Sequence, residues 1–98
     1  MIEGLNKAFE SRVRMGIMAV LAVNDWVEHA RLKELLEVTD GNLASHLSGL
    51  LQANYVQVRK RFVANRPNTA YRITAAGTKA FRAHLDALDA LLKRDLRQ

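Results

Sequence analysis

Thr39-Asp40-Gly41-Asn42-Leu43-Ala44-Ser45-His46-Leu47-Ser48-Gly49-Leu50-Leu51 is the stretch on which the reading of this chain turns. Leu43, Leu47, Leu50 and Leu51 recur at i, i+4, i+7 and i+8, the spacing that gathers apolar side chains on one side of an α-helix. Thr39 or Asp40 stands where a side-chain oxygen can accept from one of the first free amides and cap that helix. The spacing predicts a helix over about 40–53, ending near Ala53-Asn54. Away from the leucines stand Asn42, Ser45, His46 and Gly49, a face that is polar, small and uncharged.

Immediately upstream, Arg31 to Val38 reads as a second, short helix with Leu32, Leu35 and Leu36 on its buried side, broken by Val38-Thr39-Asp40-Gly41. Ser11 to Val23 carries Val13, Ile17, Val20 and Leu21 at helical spacing, with Ser11 as a cap. Ile2, Leu5 and Phe9 continue similar spacing, either as a short helix or as an extension of this one. Asn24-Asp25 has turn chemistry, and Trp26 to Ala30 has room only for a small strand or an extended link. Downstream, Val56 and Val58 alternate with Gln57 and Arg59 along a strand from Tyr55 to Phe62. Ala64-Asn65-Arg66-Pro67-Asn68 reads as a turn. Thr69 to Ile73 returns as the partner strand, with Tyr71 and Ile73 on one side and Arg72 on the other. Thr74 caps a last helix to about Arg94, on which Phe81, Leu85, Leu88 and Leu92 form a coiled-coil-like seam.

The 98 residues support one domain over 1–98, and 49% hydrophobic composition with a single Pro suits a modest core. The absence of Cys excludes disulfides, thiolate nucleophiles and Cys-based zinc sites, and fits a reducing, cytoplasmic setting. No apolar run approaches the roughly 20 residues of a membrane-spanning helix, and Met1-Ile2-Glu3-Gly4 lacks the basic-then-apolar pattern of a secretory leader. A membrane location is therefore not expected. The formal net charge is +5, distributed unevenly: from Gly41 to Leu85 there are seven basic residues and no Asp or Glu. Such a segment makes a local positive field suited to phosphate backbones, or else is a solvated face that maintains solubility.

A short helix, a tight turn and a leucine-striped helix, followed at once by a basic hairpin, make the winged helix-turn-helix arrangement, an α+β and mostly helical fold with a two-stranded wing and a long C-terminal helix. Leu35-Leu36-Glu37-Val38-Thr39-Asp40-Gly41-Asn42-Leu43-Ala44-Ser45-His46-Leu47 resembles the turn and recognition helix of small MarR-like winged-helix transcriptional regulators. Asn54-Tyr55-Val56 continues the likeness, and Arg66-Pro67-Asn68-Thr69-Ala70-Tyr71-Arg72-Ile73-Thr74-Ala75-Ala76-Gly77 resembles their wing return and the cap of their last helix. Together the likeness runs from about Leu5 to Leu92. Two positions depart from it: Gly49 stands where a larger or charged residue is usual, and Ala53-Asn54 replaces the more familiar Ala-Gly helix end.

The resemblance implies a transcriptional regulator that binds double-stranded DNA, with the helix beginning at Asp40 or Gly41 entering the major groove. Small polar side chains suit that task, so Asn42, Ser45 and His46 are candidates for base or backbone contact, the alternative being a solvent-exposed helix face. Gly41 either lets the backbone approach a phosphate at the helix N-terminus or is only a turn glycine. In the wing, taken as about 55–73, Arg59, Lys60, Arg61 and Arg66, with Asn65 and Asn68 flanking the turn, can follow the sugar-phosphate backbone or enter the minor groove. The alternative is an edge hairpin protected from aggregation by charge. Arg72 either joins them or covers apolar surface with its stem.

His29, His46 and His84 stand far apart without metal-ligand spacing, so neither a metal nor any other cofactor is expected. His84 reads as a surface or interface residue. No phosphate-cradling glycine loop or nucleophile motif is present, and no catalysis is assigned. Trp26, Phe9, Phe81 and Tyr71 read as core or interface. Phe81, Leu85, Leu88 and Leu92 on the last helix (about 74–94), with Ile2, Leu5 and Phe9, form the candidate interface of a two-fold homodimer. Such a dimer would place two recognition helices about 34 Å apart on a pseudo-palindromic site. The competing functional reading is a winged-helix module that binds an acidic protein partner, and structured RNA is a third.

Overall fold

The computed structural model describes residues 4–96, with side chains through Arg94; Ile2, a candidate interface residue, lies outside them. A single 3-10 turn at Lys7–Phe9 leads into α1 (Arg12–Ala22). Ser11 opens α1 as expected, its hydroxyl accepting from the Val13 and Arg14 amides at 3.2 and 3.3 Å. A two-residue strand, β1 (Val27–Glu28), passes directly into α2 (His29–Leu36), which begins two residues earlier than its leucine spacing suggests. Glu37 then adopts a left-handed conformation (φ 53°) and ends α2. Thr39 caps α3 (Asp40–Gln52) by accepting from the Asn42 amide at 3.1 Å. The hairpin follows as β2 (Val56–Val63) and β3 (Arg66–Ile73), and Thr74 opens α4 (Ala75–Leu96) by accepting from the Gly77 amide at 2.8 Å.

The three strands form an antiparallel sheet in the order β1-β3-β2. The hairpin is tighter than its sequence suggests. Only Ala64 and Asn65 lie between the strands, both at positive φ (51° and 64°), as a two-residue connection requires. Arg66, Pro67 and Asn68 are already paired within β3, opposite Val63, Phe62 and Arg61. Pro67 fits there because hydrogen-bonded and non-hydrogen-bonded pairs alternate along an antiparallel ladder. The Val63–Arg66 pair closes the turn, so the next pair, Phe62–Pro67, needs no amide from residue 67.

The core sits where α1, α2 and α3 meet the base of the sheet. Phe9, Ile17, Met18, Leu21, Leu32, Leu43, Leu47 and Leu50 are fully buried, and Val27, Val56, Tyr71 and Phe81 close the cluster. Each such side chain stabilises the fold by about 1.5–3 kcal/mol relative to exposure. The leucine stripe of α3 is thus the floor on which its polar face is carried. On α2, Leu32 is buried and Leu36 packs at the edge, whereas Leu35 is 45% exposed. An eight-residue helix packed along one side has no second buried row for it.

Two further expectations are corrected at the N-terminal end. His84 is buried rather than on the surface, its Nδ1 accepting from the Asn6 amide at 2.9 Å and its ring edge-on to Phe9 at 5.3 Å. Phe9 and Phe81 stack edge to face at 5.5 Å inside the chain's own core. Neither therefore offers free surface to a second copy. Leu85 and Leu92 are exposed, and Leu5 and Leu88 are half-buried.

Candidate nucleic-acid interface

With Leu43, Leu47 and Leu50 turned inward, α3 exposes Gly41, Asn42, Ala44, Ser45, Ser48 and Gln52. Ala44, Ser48 and Gln52 were not singled out by residue type. Their signal is positional, since Gly41, Ala44, Ser48 and Gln52 recur every three or four residues opposite the buried stripe. Gly41 is not a turn glycine: its φ is not positive, and a Cβ built there would meet nothing within 4 Å. Among the described residues nothing demands glycine at that position, and the start of the helix is open to an approaching group.

Asp40, the only carboxylate on α3, is not presented bare. Lys33 Nζ lies 3.0 Å from its Oδ2 and His29 Nε2 lies 3.5 Å from its Oδ1. The Lys33 hydrogen bond and charge hold the Asp40 carboxyl below its ordinary value of 3.8. Behind His29 stands Tyr71 of β3, its hydroxyl 3.1 Å from Nδ1. Burial pushes the Tyr71 phenol up. The first turn of α3 is therefore tied both to α2 and to the central strand.

The register of the hairpin sorts its side chains by face. Gln57, Arg59, Arg61 and Val63 lie with Arg72, Ala70, Asn68 and Arg66 on one face. Val56, Val58, Lys60 and Phe62 lie with Ile73, Tyr71, Thr69 and Pro67 on the other, which is continuous with the core. The arginine face has two parts. Near its base, the Arg59 and Arg72 guanidinium carbons lie 4.5 and 4.6 Å from the Trp26 ring centroid, within cation–π range. Arg72 also donates to Gln57 Oε1 at 2.9 Å. Trp26, half-exposed, is thus a platform for two arginines rather than a core residue.

Toward the tip, Lys60, Arg61, Asn65 and Arg66 are exposed. Asn68 is not beside the turn but within β3, half-buried, its Oδ1 without a partner among the described residues. Phe62, 76% exposed, shares the tip with these cations; its apolar character gives no hint of a place in solvent. Of the sequence candidates, the fold brings Gly41, Asn42 and Ser45 onto one exposed helix face and Lys60, Arg61, Asn65 and Arg66 onto one exposed tip. His46 is only half-exposed, on the flank of α3 that faces α1, where Arg14 Nε donates to its Nδ1 at 3.1 Å. Arg14 itself has no signal in the sequence.

Residues 13–92 match the family described as a winged helix DNA-binding domain. An uncharacterised protein of Methanocaldococcus jannaschii is 38% identical over 79 residues, covering 81% of this chain and 86% of that one. A transcriptional regulator homologue from Pyrococcus horikoshii superposes with a TM-score of 0.81 at 30% identity, covering 88% of this chain and 85% of that one. The fold also matches MepR of Staphylococcus aureus in its complex with DNA, with a TM-score of 0.74 at 12% identity, over 97% of this chain and 77% of that one.

Proposed function

The chain belongs to the winged helix DNA-binding domain family, and on that premise we propose that it is a sequence-specific transcriptional regulator, inserting α3 into the major groove and laying its basic wing tip on the backbone or in the minor groove. One observation carries this reading: one domain carries a small, uncharged, exposed helix face, seated on the buried Leu43, Leu47 and Leu50, together with an exposed wing tip that bears Lys60, Arg61 and Arg66. An α-helix fits the major groove when its leading side chains are short, and Asn42, Ser45 and Ser48 can bond base edges or phosphates. Gly41, with open space around it, lets a phosphate approach the helix N-terminus, where free amides and the helix dipole favour anions. The wing tip contributes the part of the affinity that does not depend on sequence.

A homodimer completes this reading. Leu85 and Leu92 project from α4 at 42% and 62% exposure, and together with Leu88 they form a stripe that a second copy would cover across a two-fold axis. Two recognition helices would then meet a pseudo-palindromic site. Sedimentation equilibrium of the wild type and of a Leu85→Glu/Leu92→Glu variant tests the assembly, with a dimer expected for the first and a monomer for the second.

DNA binding is tested by fluorescence anisotropy of labelled mixed-sequence duplex, comparing the wild type with an Arg61→Ala/Arg66→Ala variant over a range of salt. Counterion release gives a log–log slope of about −0.9 per phosphate neutralised. The variant is expected to bind more weakly, with the slope shallower by about 2. Absence of binding by either protein at low salt would defeat the proposal and turn attention to acidic protein partners.

A further inference from the structure

Arg14 lies on α1, outside every element that carries the proposed DNA contacts, yet its guanidinium reaches the flank of α3. Its Nε donates to His46 Nδ1 at 3.1 Å, and its Nη1 donates to the Ala8 carbonyl at 3.5 Å. The same group lies so close over Gly49 that a Cβ there would run into Nη1, Nη2 and the central carbon. The backbone does not ask for glycine at 49, since its φ is not positive. The space that a side chain would fill is occupied by Arg14. Gly49 and His46 are one helical turn apart on α3, so one guanidinium bears on both.

This contact has a chemical consequence. A guanidinium keeps all of its N–H groups at any ordinary pH and has no acceptor to offer. An imidazole nitrogen facing Arg14 Nε–H is therefore the acceptor, and a neutral imidazole carries its single proton on the other nitrogen. We infer that Arg14 holds His46 in the Nε2–H tautomer, so that the recognition helix presents a hydrogen-bond donor and never an acceptor at this position, and that Arg14 is thereby a specificity-determining positioning residue. The inference rests on the DNA-binding reading above.

Asn42 and Ser45, beside His46, can each donate and accept. His46 is then the position whose polarity is fixed from outside the helix. In the major groove an Nε2–H selects an acceptor edge, such as a purine N7, guanine O6 or thymine O4, and rejects the amino groups of cytosine and adenine.

Two measurements test this. In the free, ¹⁵N-labelled chain, the imidazole nitrogen correlations of His46 are expected to show the Nε2–H pattern, with a scalar coupling across Arg14 Nε–H···Nδ1. Arg14→Met should abolish the coupling and admit the Nδ1–H tautomer. Gly49→Ala, which displaces the guanidinium without removing it, should do the same while the protein still melts cooperatively. In selection from a randomised duplex pool, Arg14→Met is expected to relax the preference at one base pair of each half-site at least several-fold and leave the others as in the wild type.

An Nδ1–H tautomer in the wild type, or identical selected sequences for wild type and Arg14→Met, would overturn the inference alone. A wild type that shows the coupling but selects no sequence would overturn the DNA-binding specificity on which it rests, and the inference with it.

Discussion

From Asp40 to Gln52 the chain carries one formal charge, and that carboxylate is held by Lys33. From Arg59 to Arg66 it carries four basic side chains and no acidic one. The two segments differ as much in support as in charge. α3 rests on Leu43, Leu47 and Leu50, none more than 1% exposed, and its first turn is tied to Lys33, His29 and, through His29, to Tyr71. Beyond Arg59 and Ala70 the hairpin has no buried side chain, and Val63 and Phe62 stand in solvent. Reading base edges requires a helix whose side chains are held in place by its own domain, whereas attracting phosphates requires only charge within a Debye length, about 8–10 Å at physiological salt. Under the proposed function, that difference would place selectivity on the supported element and salt-dependent affinity on the unsupported one.

The sharpest way to break this contrast is to attack the support. Leu47→Ala is expected to cost about 2–5 kcal/mol by leaving a cavity under α3. Val58→Ala, at a 39% exposed wing position, should cost well under about 1 kcal/mol. Thermal melts of the two variants measure the gap, and equal destabilisation would show that the wing is as much a part of the core as the helix. Next in size is a change to the helix face itself. Ser48→Glu places a carboxylate where a duplex would lie and should weaken DNA binding about tenfold or more through like-charge repulsion, with stability moved by less than about 0.5 kcal/mol. Anisotropy and melting together check it, and unchanged affinity would remove α3 from the interface.

The wing offers a smaller, stabilising test. Ala64 holds a left-handed conformation that costs an L-residue roughly 1–2 kcal/mol. Ala64→Gly relieves this strain at the expense of about 0.5–1 kcal/mol of backbone entropy, so a rise in melting temperature of a few degrees is expected with no change in the helix face. The smallest effect concerns the helix start. Because Lys33 holds the Asp40 carboxyl below its ordinary value of 3.8, the ionised form adds stability that is present above that value and lost as pH falls through and below it. Melting temperatures of wild type and Asp40→Asn should therefore differ slightly near neutral pH and converge in acid below about 3.8.

Much of the architecture is legible in the order of residues alone. The leucine spacing of α3, the Ser11, Thr39 and Thr74 caps and the alternation in β2 are short-range patterns that the backbone obeys directly, and α1, α3, β2 and α4 appear within one or two residues of where those patterns placed them. The departures share a cause. Arg66-Pro67-Asn68 has turn composition, but composition does not reveal which pairs of a ladder forgo a hydrogen bond, and Pro67 sits in one of them. Leu35 fits a helical stripe, but the width of the buried stripe depends on what packs against the helix. His84 has a polar ring that reads as surface until the Asn6 amide is brought to it.

For the interface, residue type is enough to nominate Asn42, Ser45 and the tip cations Lys60, Arg61 and Arg66. It does not separate Arg59 and Arg72, stacked on Trp26, from Arg61 and Arg66 at the exposed tip. Nor does it place Phe62 in solvent.

The sequence by itself determined the elements, their order and the sign of the field around the wing, because periodicity, capping and net charge act over a few residues or add up regardless of arrangement. Only the tertiary structure decided which polar groups are committed to one another. His46 meets Arg14 from 32 residues away and His29 joins Tyr71 from 42 residues away. Hydrogen bonds of this kind depend on distances of about 3 Å between separate elements, and those distances are set only when the core has closed.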